Sequence, residues 1–212
     1  RIRVIKPRIG GGFGGKQEVL LEQICAALAL AAKRPVKLRY TRAEEFASSR
    51  TRHEMYITIT LGARRDGRLT AIGMRVLSNT GAYGAHALTV ASNCGSKVLP
   101  LYPCDNVRFD AEAVYTNLPV GGAYRGYGAT QAAFAMESAL DELADTLALD
   151  PLVLRRRLHI RAGQSSPIFA KLGEGRAGVA QSIGSCHLPE CITRGAAAIG
   201  WELGVEDDAI VR

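Results

Sequence analysis

Gly10-Gly11-Gly12-Phe13-Gly14-Gly15-Lys16 constrains this chain more than any other stretch. Five glycines in six residues cannot be a packed element, because each loses more backbone entropy on ordering than any other residue. They suit a backbone that bends tightly and brings bare N–H groups close to something. The run lies between an expected strand, Arg3–Ile9, and an expected helix opening at Gln17. A glycine turn feeding a helix N-terminus is an anion cradle, since unpaired N–H groups and the positive dipole end converge there.

Two generic motifs match the loop. Gly10-x-Gly12-x-x-Gly15 fits a dinucleotide fingerprint, and Gly10-x4-Gly15-Lys16 fits a P-loop up to its last position. A P-loop then needs Ser or Thr for Mg²⁺, where this chain has Gln17. The dinucleotide reading needs an acidic residue about 20 residues on, where Ala32-Lys33-Arg34-Pro35 stands instead. A nucleotide-binding protein using this loop as a phosphate cradle therefore stays as the alternative reading.

Helical spacing of Val19, Leu20, Leu21, Ile24, Cys25, Leu28 and Ala31 predicts a helix over Gln17–Lys33, stopped by Pro35. Val36–Tyr40 alternates as a strand. Thr41 and Glu44 form a capping box for a short helix to Ser48. From Met55 the period changes to two. Met55–Leu61 and Leu69–Leu77 are joined by Arg65-Asp66-Gly67-Arg68, a strong hairpin signal, and Asn106–Asn117 reads as a further strand.

A second glycine loop, Gly121-Gly122-Ala123-Tyr124-Arg125-Gly126-Tyr127-Gly128, opens a helix striped by Met136, Leu140, Leu143 and Leu147. Arg125 is the lone charge in that loop, and a guanidinium there suits an oxyanion, phosphate or metal-oxo group. Asp150-Pro151 starts a helix to about Ile160 as N-cap and first helical residue. The Gly/Ser-rich stretch 161–186 reads as surface loop before a last helix, Pro189–Ala198.

The fold class is thus α+β, with antiparallel or mixed sheets and helices packed on one face. We divide the chain into 1–48 (strand, glycine loop, helix, strand), 49–160 (a second α+β unit with the Arg125 loop) and 161–212 (loop and terminal helix).

The net charge of +7 invites a nucleic-acid reading, but the basic residues are scattered. The clusters at Arg64–Arg68 and Arg155–Arg157 lack interleaved aromatics or zinc spacing. No run of 18 apolar residues exists, so neither nucleic acid nor membrane is an expected partner. Five cysteines without a C-x-x-C pair fit a reduced, cytoplasmic protein. With no initiating Met, and an acidic Glu206-Asp207-Asp208 turn just before its end, the chain reads as a piece of a longer polypeptide.

The two loops together, Ile9–Lys16 and Ala123–Gly128 with Gln131 beyond, closely resemble the molybdenum-binding subunit of the xanthine oxidase/aldehyde oxidase family of molybdenum hydroxylases. The Asp150–Arg157 helix and the Leu188–Trp201 tail share that resemblance. It implies a molybdopterin cofactor, in the cytosine dinucleotide form usual for bacterial members, approached by Gly12, Phe13 and Gly14 on one side and Arg125 on the other. Tyr127 would form part of the substrate pocket and stack on a flat substrate, with Gln17 and Asn93 at the two positions where purine-specific members carry a Glu and an Arg. No residue of the chain is expected to ligate the metal directly.

The family reaction hydroxylates an electrophilic carbon with oxygen from water. A metal-bound hydroxyl attacks after a Glu takes its proton, hydride passes to a sulfido ligand, and electrons leave through [2Fe–2S] clusters and FAD on partner domains or subunits. That Glu is expected C-terminal to this chain. None of Glu18, Glu44 or Glu137 matches its motif, so no catalytic residue is assigned and the piece alone is expected to be inactive. Gln17 and Asn93 disfavour xanthine, since a purine's polar edge would lose charged partners. Gly126, in place of a Cys, disfavours carbon monoxide. An aldehyde or an N-heteroaromatic substrate remains.

Overall fold

The computed structural model describes residues 3–202, and the acidic 206–208 turn therefore lies outside the described residues. Helix α1 is Glu22–Ala32 and α2 is Arg42–Ser48. They are followed by β1 (Met55–Ala63), β2 (Leu69–Gly81), α3 (Ala87–Val98), β3 (Val107–Tyr115), α4 (Ala129–Leu147), α5 (Pro151–Leu158), α6 (Pro167–Lys171) and α7 (Leu188–Ile199). Among the described residues, no helix is long and apolar enough to cross a membrane.

The hairpin forms where the Asp-Gly pair predicts it. Gly67 N–H donates to Arg64 O and Arg68 N–H to Asp66 Oδ1, both at 2.9 Å, and β1 runs antiparallel to β2. Strand β3 joins the other edge of β2 in parallel, giving the order β1-β2-β3 in a mixed sheet. A parallel neighbour needs a crossover, and α3 supplies it. The residues between Gly84 and Asn106 gave no such signal. Asn93, Gly95 and Ser96 are poor helix formers, yet a Cβ on Gly95 would stand 2.9 Å from the Phe109 ring of β3 and 2.6 Å from Leu172. Close packing, rather than helix propensity, selects the residues of α3.

Along β2, Ile72, Met74 and Val76 are buried while Ala71, Arg75 and Leu77 are exposed. One face of the sheet is therefore covered and the other open. Helix α4 lies on the covered face through Ala132, Met136, Leu140 and Ala144, one residue per turn and each 0% exposed. The anticipated stripe shifts by one position at its C-terminal end, where Ala144 replaces Leu143 at full burial. Asp150 caps α5 by accepting from the N–H groups of Leu152 (2.8 Å) and Val153 (2.9 Å). Arg155 then fastens α5 to α4, with Nε 2.7 Å from Glu137 and Nη1 2.7 Å from Asp141. Tyr102 donates to the other Glu137 oxygen at 2.6 Å.

The first forty residues depart from expectation. Neither Arg3–Ile9 nor Val36–Tyr40 is a strand, and α1 begins at Glu22 rather than Gln17. A strand persists only when a neighbour pairs its N–H and C=O groups, and neither stretch has one among the described residues. The capping box of α2 forms as predicted, with Thr41 N–H donating to Glu44 Oε2 at 2.7 Å and Glu44 N–H to Thr41 Oγ1 at 3.3 Å.

Because Leu140 of α4 is 0% exposed in the core that α4 shares with the sheet, Leu140→Ala is expected to cost about 2–5 kcal/mol. Denaturant unfolding of the full-length protein should show a lowered midpoint, whereas the same change at the exposed Leu88 of α3 should cost well under about 1 kcal/mol.

Candidate functional site

The two glycine loops, more than a hundred residues apart in sequence, meet backbone to backbone. Gly14 has φ +97°, and a Cβ there would fall 2.2 Å from Ala123 O and 2.8 Å from Tyr124 N. Only a residue with no side chain allows that approach at that backbone angle. Phe13, itself at φ +51°, holds its ring under the Arg125 guanidinium, 5.1 Å from centroid to Cζ, a cation–π pair. Within the first loop, Gly15 N–H donates to Gly12 O (3.0 Å) and Gln17 N–H to Gly14 O (3.2 Å).

Lys16 turns back on its own loop, donating from Nζ to Gly11 O at 2.5 Å. The helix N-terminus is already filled as well: the Glu22 carboxylate accepts from Leu20 and Leu21 N–H at 3.0 and 3.1 Å. Its own backbone N–H and that of Leu20 hold the carboxyl below its usual range. With Lys16 turned away and the N–H groups taken, the phosphate-cradle alternative has no geometric support here.

The second loop turns through three successive left-handed residues, Gly126 (φ +93°), Tyr127 (φ +43°) and Gly128 (φ +89°), before α4. At Gly128 a Cβ would lie 2.1 Å from Val90 O of α3, so the turn is pressed against that helix. Its stem is fixed by backbone bonds from Thr51 N–H to Val120 O (3.2 Å) and from Gly122 N–H to Thr51 O (3.0 Å).

Arg52, which carried no sequence signal, braces the loop from behind. Its guanidinium donates to Arg125 O at 2.5 Å and Thr130 Oγ1 at 2.7 Å, and it stacks over the Tyr124 ring at 4.5 Å. A second unanticipated group is a chain of polar contacts. Arg50 pairs with Glu18 Oε2, and Glu18 Oε1 lies 3.3 Å from His86 Nε2. His86 Nδ1 meets the Tyr127 hydroxyl at 2.5 Å, which also meets Thr89 Oγ1 at 2.6 Å. Burial raises the Tyr127 phenol pKa, and the Glu174 and Glu18 carboxylates add to this against the opposing Thr89 hydrogen bond. His86 and Thr89 belong to the start of α3, so missing that helix in the sequence meant missing this chain too.

A cavity of about 720 Å³ opens between the loops and α3. Of the seven candidate residues, Phe13, Gly14, Gln17, Asn93, Arg125 and Tyr127 line it, and Gly12 does not. Lys97 and Glu174 line it too, although the sequence gave no reason to name them. The three carboxylates set aside as bases have structural partners: Glu18 with Arg50, Glu44 in its capping box, and Glu137 with Arg155 and Tyr102.

Below the second loop, His53 is 2% exposed, with its ring packed against Gly121 and no hydrogen bond of good geometry to either nitrogen. Burial lowers its pKa and the charge of His86 lowers it further, weakly opposed by the backbone of Ala85 and Gly122.

Comparison with known proteins places this geometry. A family model described as the molybdopterin cofactor-binding domain matches residues 1–158. The chain is 46% identical over 202 residues to the probable hypoxanthine oxidase XdhD of Escherichia coli K12, covering 95% of this chain and 21% of that protein. It is 44% identical to the putative xanthine dehydrogenase molybdenum-binding subunit XdhA of the same organism, over 95% of this chain and 26% of that one. Among solved structures, aldehyde oxidoreductase from Desulfovibrio gigas superposes with a TM-score of 0.77 at 30% identity, over 90% of this chain and 20% of that one. Quinoline 2-oxidoreductase from Pseudomonas putida 86 gives 0.75 at 26% identity, over 92% and 24%. The chain spans about a fifth to a quarter of the length of these proteins.

Two outcomes follow from the geometry. Gly14→Ala is expected to cost at least about 2 kcal/mol and to open the first loop to protease. Gly12→Ala, whose Cβ would meet only Lys16 Cβ at 3.6 Å, should leave both melting and cleavage nearly unchanged. His53, with its folded pKa below its unfolded value, contributes stability that is full above about pH 6.5. That contribution falls as pH drops through the folded pKa. Unfolding midpoints measured between pH 7.5 and 5 should therefore decline less in His53→Gln than in the parent.

Proposed function

The chain belongs to the molybdopterin cofactor-binding family, and from that premise we propose that it is part of a molybdenum hydroxylase acting on an aldehyde or an N-heteroaromatic. The reaction would replace C–H by C–OH with oxygen from water, releasing two electrons and two protons. The observation that carries this reading is the contact of Gly14 with Ala123, which brings the Phe13 backbone and the Arg125 guanidinium to one cavity.

The residues present suit an anionic, oxygen-rich cofactor. Side chains at Gly10 and Gly12 would meet nothing closer than 3.6 Å among the described residues. Internal packing does not demand bare backbone there, whereas a bound group passing over the loop would. Arg125 and the Gln17 amide supply donors facing that space. When bound, a molybdenum–pterin group would supply the hydroxyl oxygen and accept the substrate's electron pair.

The chain's own residues would hold and orient. Gly12, Phe13 and Gly14 would offer close main-chain approach, and Arg125 a fixed positive charge against the cofactor's oxygens. Tyr127 would form a flat wall for the substrate, its phenol held by His86 and Thr89, and Gln17 and Asn93 would point amides at the substrate's polar edge. The proton acceptor for the attacking oxygen would come from the remainder of the subunit. The cytosine dinucleotide form of the cofactor, [2Fe–2S] and FAD partners, and a cytoplasmic location belong to the same reading. The five cysteines, all free thiols, favour a reducing compartment.

Metal analysis and pterin extraction of the full-length protein should yield molybdenum and a pterin, with dye reduction by an aldehyde or an N-heteroaromatic. Recovery of a bound adenine nucleotide with neither molybdenum nor pterin would overturn the reading. Arg125→Ala in that protein is expected to lower kcat/KM about 100-fold or more while changing unfolding stability by under about 1 kcal/mol.

A further inference from the structure

The polar groups at the start of α3 form a chain whose hydrogens do not match its links. Four links run in order: Glu18 Oε1 to His86 Nε2 (3.3 Å), His86 Nδ1 to the Tyr127 hydroxyl (2.5 Å), that hydroxyl to Thr89 Oγ1 (2.6 Å), and Thr89 Oγ1 to His86 O (3.0 Å). Glu18 Oε1 is enclosed and has no other partner among the described residues, so the ring hydrogen of a neutral His86 belongs on Nε2. The neutral ring then brings one hydrogen and each hydroxyl brings one, three hydrogens for the four links just named. Tyr127 donates to Nδ1, and Thr89 must choose between the phenol oxygen and the His86 carbonyl. One added proton on Nδ1 completes the set. Nδ1–H then donates to Tyr127, Tyr127 to Thr89, and Thr89 to the carbonyl, while the positive ring faces a carboxylate.

His86, Thr89 and Tyr127 all line the cavity, so the chain opens on it. The Glu18 and His86 side chains are 21% and 26% exposed, too enclosed for water to replace every missing bond. Backbone geometry fixes the meeting, since His86 (φ +56°) and Tyr127 (φ +43°) are both held in the left-handed region, which side chains disfavour. The charged groups around the chain are Glu18 with Arg50 behind it, and Arg125, Lys97 and Glu174 on the cavity. His53, the other imidazole close by, is enclosed and its pKa is lowered by burial, so it does not compete for a proton. We propose that this chain is a proton acceptor for the hydroxylation: a proton set free in the cavity bonds to the Tyr127 oxygen as the phenol's own proton passes to His86 Nδ1. One O–H bond forms and one breaks, one N–H bond forms, and no electron moves. The inference rests on the hydroxylase reading given above, whose reaction releases two protons, and it leaves deprotonation of the attacking oxygen to the remainder of the subunit. Tyr127 is then a catalytic residue as well as a wall, and Glu18 a positioning residue that fixes the His86 tautomer.

The test uses the full-length, cofactor-loaded enzyme and the aldehyde or N-heteroaromatic that it oxidises. His86→Gln keeps an amide but takes up no proton, and Tyr127→Phe keeps the ring but not the phenol. Each is expected to lower kcat about 100-fold, with KM held within about three-fold and molybdenum content and melting temperature as in the parent. The double variant should be no slower than the slower single one, because both interrupt one path. Histidine ¹⁵N NMR supplies a readout free of turnover. At one pH, His86 Nδ1 should carry hydrogen in fewer molecules of Tyr127→Phe than of the parent, because the oxygen that accepts from it is gone. Unchanged kcat in both variants, additive losses, losses that track missing molybdenum, or an Nδ1 indifferent to Tyr127→Phe would overturn this inference and leave the hydroxylase reading standing. A parent protein without molybdenum or pterin would overturn both.

Discussion

The site depends on one contact that tolerates no atom more than it has. Gly14 lies so close to the Ala123 carbonyl that a single methyl group would collide with it, and the cavity between the loops is framed by that approach. The two loops belong to distant parts of the chain, so no local sequence preference can hold them together. Hydrophobic packing elsewhere must bring them there, and the sheet with α3 and α4 does so. The second loop leaves the end of the bridge at Thr51 and Gly121 and runs directly into α4. Because α4 is seated on the covered face of the sheet by four fully enclosed residues, the angle at which the loop emerges is set by the core.

Around that contact, electrostatics works in two layers. Arg52 grips the back of the second loop through its carbonyl and stacks on Tyr124, leaving the Arg125 guanidinium to point forward over Phe13. Two arginines with different duties thus stand at one turn. Arg50, Glu18, His86 and Tyr127 form a second string that ties the start of α3 to the first loop's exit. Partly buried pairs of this sort lose to desolvation much of what they gain in attraction. Linked end to end, they restrict where a phenol and a backbone can go.

Where local chemistry dictates local structure, the sequence was readable. Asp66-Gly67 announced the hairpin, Thr41 and Glu44 the capping box, Asp150-Pro151 the start of α5, and the glycines both loops. Reading failed where a partner decides. Val36–Tyr40 has the composition of a strand and, among the described residues, no strand beside it. Helix α3 is built from weak helix formers because it must pass close to β3, and periodicity is invisible when Asn93, Cys94, Gly95 and Ser96 are all enclosed. That omission spread to the site: Thr89, Lys97 and the place of His86 follow only once α3 is known. Arg52 and Glu174 are surface-type residues whose positions come from tertiary geometry alone. The glycine loops, by contrast, carried the family, and with it Phe13, Gln17, Asn93, Arg125 and Tyr127.

The mixed pairing of β2 also bears on the order in which this structure can assemble. Its antiparallel edge closes over the tight turn at residues 64–68, a contact reached early and at small entropic cost. Its parallel edge waits until the connection spanning residues 82–106 has coiled into α3 and returned. The α3 wall of the cavity is therefore a late acquisition, seated on a hairpin that already exists. A nascent chain would own its scaffold before it owned its cavity.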